Sequence, residues 1–163
     1  MNKYLTEIRW GIIFTAVTLL WMWGEQLAGL HGRLIAQHAT YTNLFAIPAI
    51  LIYVLALRQK KQRDYKGNMD WKQGMRAGLL ITLVVVLLSP PAQWLTHKVI
   101  TPEYFLNVQA YAVSQNMMTV EQAAEYFSLG NYILQSMIGA AIMGILTSVI
   151  VAFFLRTKSQ VAG

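Results

Sequence analysis

The stretch LGNYILQSMIGAAIMGILTSVIVAFFL, residues 129–155, decides the fold class. Its 27 residues include no charged side chain, and ~20 apolar residues are enough to cross a ~30 Å hydrocarbon core as a helix. Three further apolar segments of sufficient length lie at about 10–29, 39–57 and 77–95. The sequence therefore predicts an all-α, polytopic membrane protein with four transmembrane helices in a single domain, residues 1–163.

The composition supports this prediction. Hydrophobic residues make up 56% of the 163 residues and charged residues only 12%, about half of the ~25% typical of soluble domains. Mean hydropathy is +0.43. These values exclude a disordered chain and argue against a soluble globular protein. The chain has no cysteine, which excludes disulfides and thiolate metal sites.

The positive charges predict the orientation. All but two of the 13 Lys and Arg residues fall within residues 1–9, the basic loop 58–76 or the C-terminal tail, and the exceptions are Arg33 and Lys98. The positive-inside rule therefore puts both termini and the basic loop in the cytoplasm. Nucleic-acid binding is not expected, because no base-stacking module accompanies the charge. Contact with anionic lipid headgroups is a natural by-product.

The opposite side carries one long loop, residues 96–128. The sequence Thr101-Pro102-Glu103 has the features of a helix start, and Thr119 with Gln122 forms a capping-box pattern. We expect two short amphipathic helices, near 102–115 and 119–128, that form an extracytoplasmic cap over the bundle.

Four short motifs carry a resemblance to a known family. They are YTNLFAIPA at 41–49, WKQG at 71–74, SP at 89–90 and VAFFLR at 151–156. The chain resembles bacterial membrane proteins of domain-of-unknown-function family 4199 over nearly its whole length. The resemblance implies a four-helix protein of the bacterial cytoplasmic (inner) membrane, and it implies no activity, catalytic residue or cofactor.

Small residues recur at four-residue steps in two of the apolar segments. Small side chains let helix backbones approach closely in lipid, so these residues predict helix-packing positions. We expect Gly144 to contact the first or third segment of the same chain, with a homodimer interface as the alternative. The residues are Gly74, Gly78 and Thr82 in the third segment and Ser136, Ala140, Gly144 and Ser148 in the fourth.

One acidic residue, Glu25, lies inside the first apolar segment. At ~1.5 Å per residue it is ~8 Å beyond the bilayer midplane, still within hydrocarbon, so it should face inward and find a polar partner. Asn43, Ser89 and Gln135 lie at a similar depth in the other segments. We therefore predict a ligand-binding layer of these four residues, with Glu25 bonded to Asn43 or Gln135, directly or across water. The alternative is a polar network that only fixes helix packing.

The three histidines, His31, His38 and His97, are all on the predicted outer side. With Glu25 or Glu103 they could bind zinc, but their spacing matches no metal motif. Ordinary loop histidines are the favoured interpretation, so no metal and no cofactor are predicted.

The function most consistent with these patterns is a binding or accessory membrane protein that acts through contacts with lipid or a protein partner. The partner would be a second copy in a homodimer or another membrane protein. The alternative is a small oligomeric transporter or permease with an outward-facing polar pocket around Glu25. An enzyme is disfavoured, because the chain carries none of the common hydrolase, zinc-protease or phosphate-binding motifs.

Overall fold

The structure is a computed structural model that describes residues 4–157. Those residues form helices and connecting turns, with no β-strand among them. A 3₁₀ turn spans Asn43–Phe45, and a π-helical turn spans Thr96–Ile100. The helices in chain order are α1 Leu5–Leu27, α2 Ile35–Thr42, α3 Ala46–Tyr65, α4 Trp71–Leu95, α5 Tyr104–Ser114, α6 Val120–Tyr126 and α7 Leu129–Leu155.

Four helical stretches are long and apolar enough to cross a membrane. The 3₁₀ turn joins α2 and α3 into one stretch, and the π turn extends α4, so two of these stretches are longer than any single helix within them. The prediction of an all-helical, multi-pass membrane protein is therefore confirmed. The four stretches are Leu5–Leu27, Ile35–Tyr65, Trp71–Ile100 and Leu129–Leu155.

Most of the predicted basic loop is helical. α3 continues to Tyr65 and α4 begins at Trp71, since Lys, Arg and Gln are good helix formers even where they end a hydrophobic run. Asp70 starts α4 with a capping box: its Oδ1 accepts from the Gln73 amide at 2.8 Å, and Gln73 Oε1 accepts from the Asp70 amide at 3.0 Å. We call this end of the bundle, with the 66–70 turn, the basic end.

The segment 101–128 covers the other end, which we call the cap end. Glu103 rather than Thr101 occupies the N-cap of α5, and it makes no side-chain capping bond. The Thr119–Gln122 capping box is present at the start of α6. Tyr104 and Val108 of α5 are buried, so this helix rests its apolar face on the bundle.

The hydrophobic core occupies the half of the bundle near the basic end. The Tyr53 hydroxyl donates to the Thr82 hydroxyl at 2.8 Å, because Thr82 donates its own proton to the Gly78 carbonyl, and this bond joins α3 to α4 within the core. The core therefore closes the bundle between the middle of the helices and the basic end. Its buried members are Tyr53, Ala56, Leu57, Met69, Ile81, Val85, Val151 and Ala152.

The small residues of α4 and α7 lie against each other. A Cβ atom on Gly78 would lie 2.5 Å from Ser148 Oγ, and one on Gly144 would lie 2.5 Å from Thr82 Oγ1. Gly144 thus contacts the third span of the same chain. We call this contact the α4–α7 seam, with the pairs Gly74–Ala152, Gly78–Ser148 and Thr82–Gly144.

The other two predicted packing residues lie nearer the cap end. Ala140 packs on the hydrophobic core. Ser136 donates to the Ile133 carbonyl at 2.8 Å and faces a cavity described below. The structure thus assigns Ser136 to a cavity wall and not to the α4–α7 seam.

Candidate functional site

A tight turn after α1 brings two histidines back to Glu25. Gly29 adopts a left-handed conformation with φ +82°, which side chains rarely tolerate, and this reverses the chain direction. The Leu30 amide donates to the Glu25 carbonyl at 3.0 Å, and the Leu34 amide donates to the Gly29 carbonyl at 2.9 Å. His31 lies within this turn, and His38 follows on α2.

Two buried residues, Glu25 and His31, and one partly buried residue, His38, form a cluster that we call the Glu25 cluster. Trp21 Nε1 donates to Glu25 Oε1 at 2.6 Å and holds the carboxylate in one orientation. The other oxygen, Oε2, lies 3.1 Å from His31 Nε2 and 3.4 Å from His38 Nδ1. Glu25 is 4% exposed and His31 is 1% exposed. Two imidazoles therefore converge on one carboxylate oxygen that is removed from solvent.

The cap covers this cluster with an aromatic side chain. The Tyr104 ring lies 5.2 Å from each of the rings of His31, His38 and His97. Burial raises the pKa of the Tyr104 phenol, so the phenol keeps its proton and shares a 3.1 Å hydrogen bond with the Tyr132 hydroxyl. The cluster is therefore closed by a neutral, packed residue.

The four residues of the predicted polar layer do not meet at one place. Glu25 is buried as expected, but its partners are His31, His38, Trp21 and Thr42, so the predicted direct bond to Asn43 or Gln135 is wrong. The Asn43 amide donates to the carbonyl of its own helix at Ala39. Gln135 is exposed on α7. Only Asn43 and Ser89 share a site, the cavity described next.

A cavity of about 360 Å³ lies between the four spans on the cap-end side of the core. It is open on one side, where Ile50 of α3 and Met143 of α7 are both exposed. Tyr53 and Gly144 lie at its lower end, towards the basic end of the bundle. Thr42, Asn43 and Gln93 lie at its upper end, towards the cap.

Four of the hydroxyl groups in the cavity wall already have hydrogen-bond acceptors. Thr15, Thr18, Ser89 and Ser136 each donate to a backbone carbonyl of their own helix, at distances of 2.8–3.0 Å. Because these donors are satisfied within the protein, the wall makes little demand for a polar ligand. The remaining lining side chains are mostly apolar. The cavity is thus suited to an apolar group.

Comparison with known proteins gives one match. A model for a protein family of unknown function, DUF4199, matches residues 9–157. The chain belongs to the DUF4199 family. No curated protein and no solved structure matches the sequence. The resemblance found in the sequence motifs is therefore confirmed, while the function of this DUF4199 chain must be argued from its own geometry.

The sequence of this DUF4199 chain predicts that Glu25 is buried, but it leaves an association of Glu25 with the histidines as the disfavoured alternative. The sequence signal that indicates this association is the short, glycine-containing segment between two helical runs, in which Gly29 and Gly32 lie on either side of His31. A reversal over so few residues returns the chain to the end of α1. The spacing of the histidines fits no metal motif and so favours ordinary loop residues, whereas the fold places His31 and His38 beside the carboxylate.

Proposed function

We propose that this protein is a membrane-embedded binding protein that holds the hydrocarbon chain of a bilayer lipid between α1, α3, α4 and α7. The observation that carries the proposal is the cavity, which opens to the side of the bundle between Ile50 and Met143. In a bilayer this side of the bundle faces lipid. The cavity volume of about 360 Å³ falls within the ~300–1,000 Å³ range of ligand pockets.

The depth of the cavity supports a lipid chain as the occupant. Along α7 its lining runs from Ser136 to Thr147, which at 1.5 Å per residue corresponds to ~16 Å. That length matches half of a ~30 Å hydrocarbon core, and so one leaflet. Asn43 and Gln93 lie at the cap end, where the polar part of a lipid in that leaflet would lie.

Binding agrees better with the structure than transport does. The cavity ends at the hydrophobic core, where Leu57, Ile81 and Ala152 are almost fully buried. A polar substrate would have to cross this packed region to reach the basic end. The small transporter expected as an alternative therefore requires a rearrangement of the core, whereas lipid binding requires none.

Filling the cavity tests the proposal. A Cβ on Gly139 would have no atom within 4 Å, so Gly139→Phe should project its ring into the cavity without a clash in the protein. We expect photoreactive phosphatidylethanolamine with a diazirine in its acyl chain to label Tyr53 and Val85 in wild type. Both line the cavity although they are only 3% and 7% exposed. Gly139→Phe should abolish those adducts, as read by mass spectrometry.

The matched control is Gly130→Phe, because Gly130 also has no neighbour within 4 Å of a built Cβ and does not line the cavity. It should label like wild type. Adducts confined to outward residues such as Leu83 and Phe154, with none on Tyr53 or Val85, would refute lipid entry. Cross-linking of two Met143→Cys chains through the new cysteine would instead indicate a homodimer at this opening. That result would also refute lipid entry.

In the proposed orientation, both termini and the basic end lie in the cytoplasm of a bacterium and the cap lies outside the cytoplasmic membrane. The basis is the concentration of Lys and Arg at the basic end. The lipid chain would then belong to the outer leaflet.

Single cysteines test this orientation, because the chain has none of its own. Gln115 and Gln62 are both exposed, one beside the cap helices and one at the basic end. A membrane-impermeant maleimide added to intact spheroplasts should label Gln115→Cys and leave Gln62→Cys unlabelled until the cells are lysed. The opposite pattern would reverse the orientation.

A further inference from the structure

The three residues of the Glu25 cluster do not line the cavity, and they have a different chemistry. One donor atom from each of Glu25, His31 and His38 lies within 4.8 Å of the donors of the other two. The same three residues are 15% exposed or less. We propose that this cluster is a binding site for a divalent transition-metal ion of the zinc class, held by two imidazoles and one carboxylate.

The spacing of the donors fits such an ion. Glu25 Oε2 lies 3.1 Å from His31 Nε2 and 3.4 Å from His38 Nδ1. In a tetrahedral site with ligand distances of ~2.1 Å, neighbouring ligands are ~3.4 Å apart. Both distances to the carboxylate oxygen are close to that value, and the three donors all lie within 4.8 Å of one another, so a metal at the centre of the cluster needs side-chain movements that bring the donors closer together. No helix has to shift, because α1, the 28–34 turn and α2 already hold the three donors together.

An unsatisfied nitrogen gives a second, independent reason. The Nδ1 atom of His38 is buried and has no hydrogen-bond partner. His38 Nδ1 is close to the Glu25 carboxylate, yet it forms no hydrogen bond to it. Buried polar atoms almost always have a partner, so orphaned atoms at a convergent cluster call for an explanation. A cation beside Oε2 would satisfy His38 Nδ1 and balance the buried charge of Glu25.

The donor set selects the class of metal. Two nitrogens and one oxygen suit Zn²⁺ and its first-row neighbours, whereas Mg²⁺ and Ca²⁺ prefer oxygen ligands only. Two further side chains hold the ligands in position. Trp21 Nε1 donates to Glu25 Oε1, and Asn107 Nδ2 donates to the His31 carbonyl at 2.9 Å. Three protein ligands leave a fourth position for water or a small ligand.

The test is direct metal binding by the full chain. The protein, without a histidine tag, is stripped with chelator in detergent and titrated with Zn²⁺ by calorimetry. We expect one ion per chain and no competition from Mg²⁺. Glu25→Gln and His38→Gln should each weaken binding by at least the ~10–100-fold that loss of a supporting second-shell partner costs. Co²⁺ in place of zinc should give the intense visible absorption of a tetrahedral site.

His97→Gln is the matched control. His97 is buried against the same Tyr104 ring, but its Nε2 pairs with Gln93 at 3.1 Å and it is outside the three-donor group. It should bind one zinc ion with unchanged affinity. Absence of zinc binding by wild type, equal binding by Glu25→Gln, or loss of binding in His97→Gln would each overturn the assignment. If a cluster variant does not fold, the wild-type stoichiometry and the Co²⁺ spectrum still decide the question.

Discussion

Replacing Lys60 by methionine should lower the free energy of unfolding by about 3–5 kcal/mol. Lys60 is 4% exposed, and its Nζ lies 2.7 Å from Glu7 Oε1 and 2.5 Å from Asp64 Oδ2. Glu7 is 2% exposed, so the substitution leaves a buried carboxylate without this cation. Asp64 lies at the surface and can be hydrated. Unfolding in mixed micelles of increasing sodium dodecyl sulfate, followed by tryptophan fluorescence, measures the loss.

A second substitution separates the effect of charge from the effect of packing in the Lys60–Glu7 ion pair. Glu7→Gln combined with Lys60→Met removes both charges, so the double variant should regain much of the stability that the single variant loses. Lys72→Met is the control, because Lys72 is exposed at the same end of the bundle. It should change stability by no more than about 0.5 kcal/mol. A Lys60→Met protein as stable as this control would contradict the prediction.

Replacing Gly144 by leucine should destabilise the protein by about 1–3 kcal/mol or more. A Cβ at this position would meet the Thr82 side chain, including its Oγ1 at 2.5 Å. That oxygen also donates to the Gly78 carbonyl and is bonded to the Tyr53 hydroxyl, so it has little freedom to move away. The same denaturation in mixed micelles measures the effect.

Two further variants identify the α4–α7 seam as the cause. Gly130→Leu introduces the same residue into the same helix where a built Cβ has no neighbour within 4 Å, so stability should hold or rise slightly. Gly78→Ala should destabilise through its clash with Ser148, and Ser148→Gly should relieve most of that loss in the double variant. Equal destabilisation by Gly130→Leu and Gly144→Leu would exclude the seam as the explanation.

The apolar runs were sufficient to predict the fold class, but the helix ends were harder to predict. Hydropathy marks where a chain can contact hydrocarbon, whereas a helix continues for as long as its backbone bonds are favourable. α3 therefore extends past Leu57 through charged residues to Tyr65, and α4 begins at Trp71 after the Asp70 cap. The Asp70–Gln73 capping box is visible in the sequence and could have located that start.

The candidate site was only partly predictable for a geometric reason. Counting residues gives the depth of Glu25 in the membrane, but it does not give the rotation of each helix about its axis. Gln135 has a suitable depth and yet faces outward. His31 and His38 reach Glu25 because the Gly29 turn folds back over the end of α1, a path that depth counting leaves out. Contacts across a tight turn depend on backbone dihedral angles that the residue pattern alone does not specify.

The four-residue repeat of the α4–α7 seam leaves the register of the two helices weakly specified by packing. Sliding α7 by four residues, which is ~6 Å or about one turn, would set Gly74 opposite Ser148 and Gly78 opposite Gly144. Small residues would again lie against small residues.

Polar contacts at the basic end distinguish the two alignments. Trp71 Nε1 donates to the Val149 carbonyl at 3.2 Å, and the Lys61 ammonium donates to the Leu155 carbonyl at 2.9 Å. The Thr157 amide donates to the Met69 carbonyl at 2.8 Å. A slip of one turn would break all three bonds. The contacts at the basic end therefore fix the register of α7 along α4.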